Sequence, residues 1–411
     1  MKKAGLCLVF LISVVGCRKP YNPPAVKASG TYLVVEGVIA SAPDSIIIKV
    51  SNTVNLSNKT TINPVHGALL TIESDNNDIY PLTETTNGHY VSAGLNLDNT
   101  RKYHLRIKTL NDEYLSDFVP VVNSPAIDSV NFTVGINGIN IYSNTHDPQN
   151  NTHYYRWDYQ ETWIIHSNYY SFYKSNGDTV LERDLGNDQV YQCWRSDTSN
   201  VILLASSVNL SKNVIVNNPI TFVDPLTGKL GGRNSILVDQ AALSNNAYSI
   251  NVRQYGLTGD AYTFWRNLKK NTEQLGSIFD AQPSQINGNI HSIKNPAEIV
   301  IGYISAGSIS SKRLFISNQQ IPLNMAVTTN PVCTIDSFYF SSFPTAGGVP
   351  INQENEHFNY NTGAQYGGVK YVPVAAIFNT QLSIVIGHTG STEACVDCTL
   401  KGTNKQPAFW R

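Results

Sequence analysis

Charge is scarce in this 411-residue chain. Only 14% of residues are Asp, Glu, Lys or Arg, with 29 basic against 30 acidic residues and a net charge of −1. No long run of one sign occurs, so nothing offers the basic patch that a nucleic acid requires. Long apolar runs are missing too. The longest is Leu6 to Val15, well short of the about 20 residues that span a bilayer. Also absent are HExxH, a Walker A loop, GxGxxG, an EF-hand loop and a GxSxG elbow. Gly302-Tyr303-Ile304-Ser305-Ala306-Gly307 has one residue too many before its serine and reads as a strand and a turn. No cofactor and no catalytic residue is implied by any of these patterns.

The apolar stretch that does exist is at the start. Lys2 and Lys3 precede it, and Val14-Val15-Gly16-Cys17 closes it. A basic n-region followed by an apolar h-region of about ten residues is the form of a signal peptide. Small or aliphatic residues before Gly-Cys form a lipobox, in which the Cys17 thiol takes a diacylglycerol. The expectation is a leader over 1–16 and a first mature residue that is lipidated at Cys17, with the acyl chains holding the protein on a membrane. Loss of Lys2 and Lys3 leaves a mature charge of about −3. Residues 18–30, RKPYNPPAVKASG, read as a Pro-rich tether.

Export alters the cysteine arithmetic. Cys7 leaves with the leader and Cys17 is acylated, so Cys193, Cys333, Cys395 and Cys398 are the disulfide candidates. Four cysteines allow three connectivities. Cys395 and Cys398 are free to bridge each other, to bridge elsewhere, or to act as a redox pair. No βαβ context for a redox pair is visible, and no second pair at zinc-site spacing accompanies them.

Aromatic residues reach 10%, with 22 Tyr, amid many Asn, Ser and Thr. This composition suits β-structure with polar loops. Residues 31–122 read as a β-sandwich of about six or seven short strands. Tyr103, Leu105 and Ile107 alternate onto one face. The run Pro64-Val65-His66-Gly67-Ala68 and the later Gly88-His89-Tyr90 resemble transthyretin-like and immunoglobulin-like modules. Pro120 to Pro125 is a junction, and 126–411 reads as a larger β-rich domain. Its one helix covers about 259–275, capped by Thr258 and closed by Gly276. Tyr262, Trp265, Leu268 and Leu275 form the packed stripe, with Arg266, Lys269, Lys270 and Glu273 opposite. Ile127-Asp128-Ser129-Val130-Asn131-Phe132 is echoed by Ile335-Asp336-Ser337-Phe338-Tyr339-Phe340, which reads as two strands of similar role. Residues 342–368 read as a long loop. Glu161 and His166 fall on opposite faces of one strand, a poor catalytic or metal pair, and His153 reads as an ordinary strand residue. Asp75, Asp78 and Asp98 read as turn residues.

Several blocks together resemble one family. They are Trp157–His166, Cys193-Trp194-Arg195, Ser249–Tyr255, the helix Ala261–Leu275 and Gly276–Pro283. Gly288-Asn289-Ile290, Val300–Tyr303, Lys312-Arg313, Cys395–Cys398 and Pro407-Ala408-Phe409-Trp410 complete the set. In this order they resemble the domain of unknown function 4249 family over about residues 20–411. Ala408 departs from the pattern, where an acidic residue is common. The resemblance implies a Bacteroidota outer-membrane lipoprotein that partners a TonB-dependent receptor, and it carries over no catalytic residue. The leading expectation is a non-enzymatic accessory of such a receptor in nutrient uptake. The alternatives are an anchored hydrolase or glycan-processing enzyme, and a structural or adhesive envelope protein. Arg18-Lys19-Pro20 lacks the acidic cluster associated with surface export, and both the periplasmic and the cell-surface faces stay open.

Overall fold

A computed structural model describes residues 31–54, 62–230, 246–273, 288–325, 332–341, 351–359 and 369–411. Cys17, the leader and the tether lie outside them. The protein is mainly β, with one long helix. Its strands are β1 (Leu33–Ala40), β2 (Ile46–Asn52), β3 (Asn63–Pro64), β4 (Leu69–Ser74), β5 (Ile79–Glu84), β6 (His89–Ser92), β7 (Lys102–Lys108), β8 (Glu113–Ser116) and β9 (Val119–Pro120). Next come β10 (Ile127–Val134), β11 (Ile139–His146), β12 (Tyr154–His166), β13 (Tyr173–Ser175), β14 (Val180–Glu182), β15 (Gln192–Thr198), β16 (Leu203–Ser206), β17 (Val214–Val223) and β18 (Asn246–Leu257). After helix α1 (Gly259–Glu273) follow β19 (Ile290–Ser292), β20 (Val300–Gly302), β21 (Ser305–Gly307), β22 (Ile309–Ser317), β23 (Asp336–Tyr339), β24 (Tyr371–Phe378) and β25 (Val385–Thr392).

Period-two alternation builds the first unit. Val35, Ile48, Leu70, Ile72, Leu105 and Ile107 point inward from four strands and are essentially inaccessible, giving one apolar core. The expected inward face of Tyr103, Leu105 and Ile107 is buried. Asn87 (φ 53°) and Gly88 (φ 70°) turn β5 into β6. Both central residues are left-handed, as the tightest hairpin turn requires. A Cβ at Gly88 would stand 2.5 Å from the Val50 carbonyl oxygen.

The ladder runs β19-β8-β7-β4-β5-β6-β2-β1-β20, with β21 also on β1. The chain leaves this unit near 122, yet residues 290–307 return to it. Ile290, Val300, Ile304 and Ala306 join its core. β20 and β21 pair in parallel with β1, covering an edge that would otherwise expose unpaired backbone groups.

The second unit stacks the sheet β10-β11-β17 on β15-β12-β18-β22. Tyr155, Trp157, Tyr248, Ile250, Ile139 and Ile141 fill the space between. α1 packs where the two units meet. Its most buried residues are Ala261 and Phe264, so the packed face is rotated from the expected stripe. Small Ala261 permits close approach, and Phe264 meets Tyr303 at 5.4 Å between ring centroids. Trp265 is half-buried over the Arg156 guanidinium at 4.5 Å. Lys269 and Glu273, expected on the solvent side, hold the approach to β16 instead. Glu273 accepts from the Ile202 N–H at 2.6 Å, and Lys269 donates to the Ile202 carbonyl. Leu275 and Gly276 lie outside the described residues.

A C-terminal lobe carries the sheet β23-β25-β24. The echoed segments both become edge strands of three-stranded sheets, β10 and β23. Of the expected 342–368 loop, residues 351–359 are described, and Asn355–Asn359 form one helical turn.

Candidate functional site

The junction between the first two units forms an open groove of about 570 Å³. Its floor is the linker Val121–Ala126, and its walls include Asn99, Asp128, His146, Asp147 and Gln149. The linker is tightly held. Gln254, fully buried on β18, donates through Nε2 to Ser124 Oγ at 3.2 Å, to the Pro125 carbonyl at 2.9 Å and to Thr145 Oγ1 at 3.1 Å. Its Oε1 accepts from Trp157 Nε1 at 2.9 Å. Ser124 N–H donates to Ser308 Oγ at 3.1 Å, and Thr152 Oγ1 donates to the Asn123 carbonyl at 2.9 Å.

Asp147 shapes one wall. Its carboxylate accepts from the N–H groups of Gln149, Asn151 and Thr152 at 3.0, 2.8 and 2.7 Å. Burial pushes its pKa up, but these backbone donors outweigh that and hold it below the usual carboxylate range. Asp128 and His146 pair across β10 and β11 at 2.8 Å, both well exposed. The groove therefore offers amide, imidazole and carboxylate groups along its walls, a set suited to hydrogen-bonding a polar ligand.

The four downstream cysteines form two disulfides, Cys193–Cys398 and Cys333–Cys395. Of the three connectivities open to the sequence, this one sends neighbouring cysteines to different partners. Cys395 and Cys398 are therefore not a mutual redox pair. Cys398 ties the lobe to β15 of the second unit, while Cys395 closes the lobe on itself. Among the described residues, no group of three or more His, Cys, Asp or Glu is placed to hold a metal ion.

Other sequence-marked residues are scattered. Glu161 is buried on β12, where strand parity turns it inward among aromatic residues. It accepts from the Tyr248 hydroxyl at 2.5 Å and pairs with Lys229. Burial and the Glu161 carboxylate push the Tyr248 phenol well above its ordinary pKa. His166 instead meets Gln192 at 3.2 Å, so the structure does not bring Glu161 and His166 together. His153 sits 3.2 Å from Ser207 Oγ. Asp75, Asp78 and Asp98 serve turns, accepting from Lys102 N–H, Ser74 Oγ and Thr100 N–H respectively. Sequence reasoning missed Gln254 and a buried pair in the lobe, His388 Nδ1 and Glu354 Oε1 at 2.6 Å. Gln254 lies in the Ser249–Tyr255 block, which carried the family resemblance without a role for that residue, and the lobe pair lies in none of those blocks. Only the polar residues in otherwise apolar strand faces hinted at Gln254.

Comparison with known families gives a match. The model of a family described as Domain of unknown function (DUF4249) covers residues 18–313, well over half of the chain. The span ends inside β22, so the resemblance drawn from Cys395–Trp410 lies beyond it. No curated protein matches the chain.

Proposed function

The chain belongs to the DUF4249 family, and from that premise we propose that it is a non-enzymatic outer-membrane lipoprotein. In this reading Cys17 carries the lipid, and the folded units serve a TonB-dependent receptor of a Bacteroidota cell in nutrient uptake. The observation that carries the reading is the fate of the cysteines. All four downstream of Cys17 are consumed in two disulfides, which fits an oxidising compartment. That leaves the lipobox cysteine as the mature residue available for acylation. The groove at the junction supports a binding role, because its polar wall residues Asp128, His146 and Asp147 flank a linker held by Gln254.

The test is affinity capture of the tagged, full-length protein from detergent-solubilised outer membrane. A TonB-dependent receptor recovered at near-equal amount is the expected result. Recovery of no membrane protein, while a control envelope complex is retained, overturns the partnership.

A further inference from the structure

Strand register gives the first unit two poles. At one, β1 opens with Leu33 opposite Asn52. β4 opens with Leu69 opposite Lys108, and Lys108 lies opposite Glu113 at the start of β8. β19 ends at Ser292 opposite Tyr114, and β20 begins at Val300 opposite Leu33. Residues 293–299 thus join the two margins of the ladder across this pole, and the Tyr114 hydroxyl donates to Glu298 Oε1 at 2.9 Å. The start of β1 and the β7–β8 turn therefore share one rim. At the other pole β1 ends with Ala40 opposite Gly307, and Val121 bridges to Ala306. From there the chain passes into β10 and β22, so the second unit hangs from the far pole.

The near rim is apolar at its outermost points. Leu110, at the tip of the β7–β8 turn, is 96% exposed, Leu69 is 69%, Ile62 is 65% and Ile293 is 49%. The turn itself is built by Thr109 and Asp112, whose side chain and backbone bond each other, which leaves the Leu110 side chain in solvent. Lys108 and Lys294 are exposed beside it. At the far pole the turns carry Asp75, Asn76, Asn77, Asp98 and Asn99 instead, and the exposed apolar residues there, Ile79 at 62%, Ile47 at 47% and Phe118 at 45%, are less exposed than Leu110, Leu69 and Ile62.

We propose that the near rim is a lipid-contacting surface. Leu110, Leu69, Ile62 and Ile293 enter the interfacial layer of the leaflet that holds the lipid on Cys17, and Lys108 and Lys294 face lipid phosphates. The proposal rests on the lipoprotein reading. What selects lipid as the occupant is the point where the chain enters. Residues 17–30 lead into the fold at this rim, two residues before Leu33, and even fully extended they span at most about 50 Å. The far pole stands a strand length, about 25 Å, from the point where the tether enters. An acyl anchor holds the rim near the bilayer at high effective concentration, so weak insertion of a few side chains suffices. Apolar tips flanked by lysines suit that boundary, where the lysine stems lie along apolar surface and the ammonium groups reach phosphate.

The test uses the full-length protein purified from envelopes and reconstituted into phosphatidylethanolamine–phosphatidylglycerol vesicles with brominated acyl chains. Leu110→Trp and Ile79→Trp are compared against the native tryptophans. Both variants are expected to float with the vesicles, and bromolipid is expected to quench Trp at 110 about twofold more than Trp at 79. Flotation with equal quenching overturns the rim proposal and leaves the anchor standing, which would pass the rim to a protein partner. Failure to float overturns the anchor, and the rim proposal with it.

Discussion

Gln254 and Pro125 are joined by a hydrogen bond of 2.9 Å across 129 residues of sequence. Through it a central strand of the second unit grips the linker from the first. Gln254→Leu leaves the Trp157 indole N–H, the Pro125 carbonyl and the Thr145 hydroxyl short of a buried partner, each worth about 1–3 kcal/mol when unsatisfied. With partial relaxation, chemical denaturation should register a loss of about 3 kcal/mol. Hydrogen exchange should speed up over 121–126. Unchanged exchange there would remove Gln254 from the role of linker clamp.

The cysteine pairing predicts a mass-spectrometric result. Non-reducing digestion should yield Cys193 linked to Cys398 and Cys333 linked to Cys395. Cys398→Ser should free the Cys193 thiol and cost about 2–5 kcal/mol of stability. A linked Cys395–Cys398 peptide from the native protein would contradict the arrangement.

Glu73 predicts an acid limb in stability. The Arg106 guanidinium, bonded at 2.7 and 3.2 Å, overrides burial and, with His104 and Thr71, holds the Glu73 carboxyl at about 2 against an ordinary 4.5. A depressed carboxylate pKa stabilises the fold above its unfolded value, and that contribution fades as pH falls from about 4.5 through about 2. The contribution is at most about 3 kcal/mol. Denaturant midpoints at pH 5.5 and 3 should converge less for wild type than for Glu73→Gln, whose curve should lose this limb. Identical pH dependence in the two proteins would refute the assignment.

Glu161 and Lys229 give a double-mutant test. Glu161 is 4% exposed at its side chain and Lys229 22%. Glu161→Gln strands a partly buried ammonium and should cost about 3 kcal/mol. Adding Lys229→Met should recover part of the loss. A strictly additive pair would show that the two charges do not act on each other.

Local patterns carried much of this fold. Alternation at Tyr103, Leu105 and Ile107 exposed a strand face, and the cap and charge pattern around Thr258 exposed α1. The even count of downstream cysteines foretold disulfides. What eluded the sequence was long-range. Nothing near Val300 or Ala306 says that they pair with a strand 267 residues earlier, because register depends on which edge is left open. Cys395 and Cys398 invite a mutual bridge by spacing, but β15 brings Cys193 to one of them. Gln254 and Glu161 were opaque for a similar reason: a polar residue on an inward strand position acquires meaning only when Pro125, Trp157, Lys229 and Tyr248 arrive from elsewhere. The α1 stripe was misjudged because the helix meets two units at once, so Ala261 and Phe264 are buried more deeply than Tyr262 and Leu268.

Acylation of Cys17 is the claim on which the rest depends. The direct measurement is metabolic labelling of cells with an alkyne fatty acid, followed by membrane fractionation of wild type and Cys17→Ser. The account predicts label on the wild-type protein in the membrane fraction, and no label with release to the soluble envelope fraction for Cys17→Ser. Unlabelled wild-type protein, or label that persists in Cys17→Ser, would contradict it.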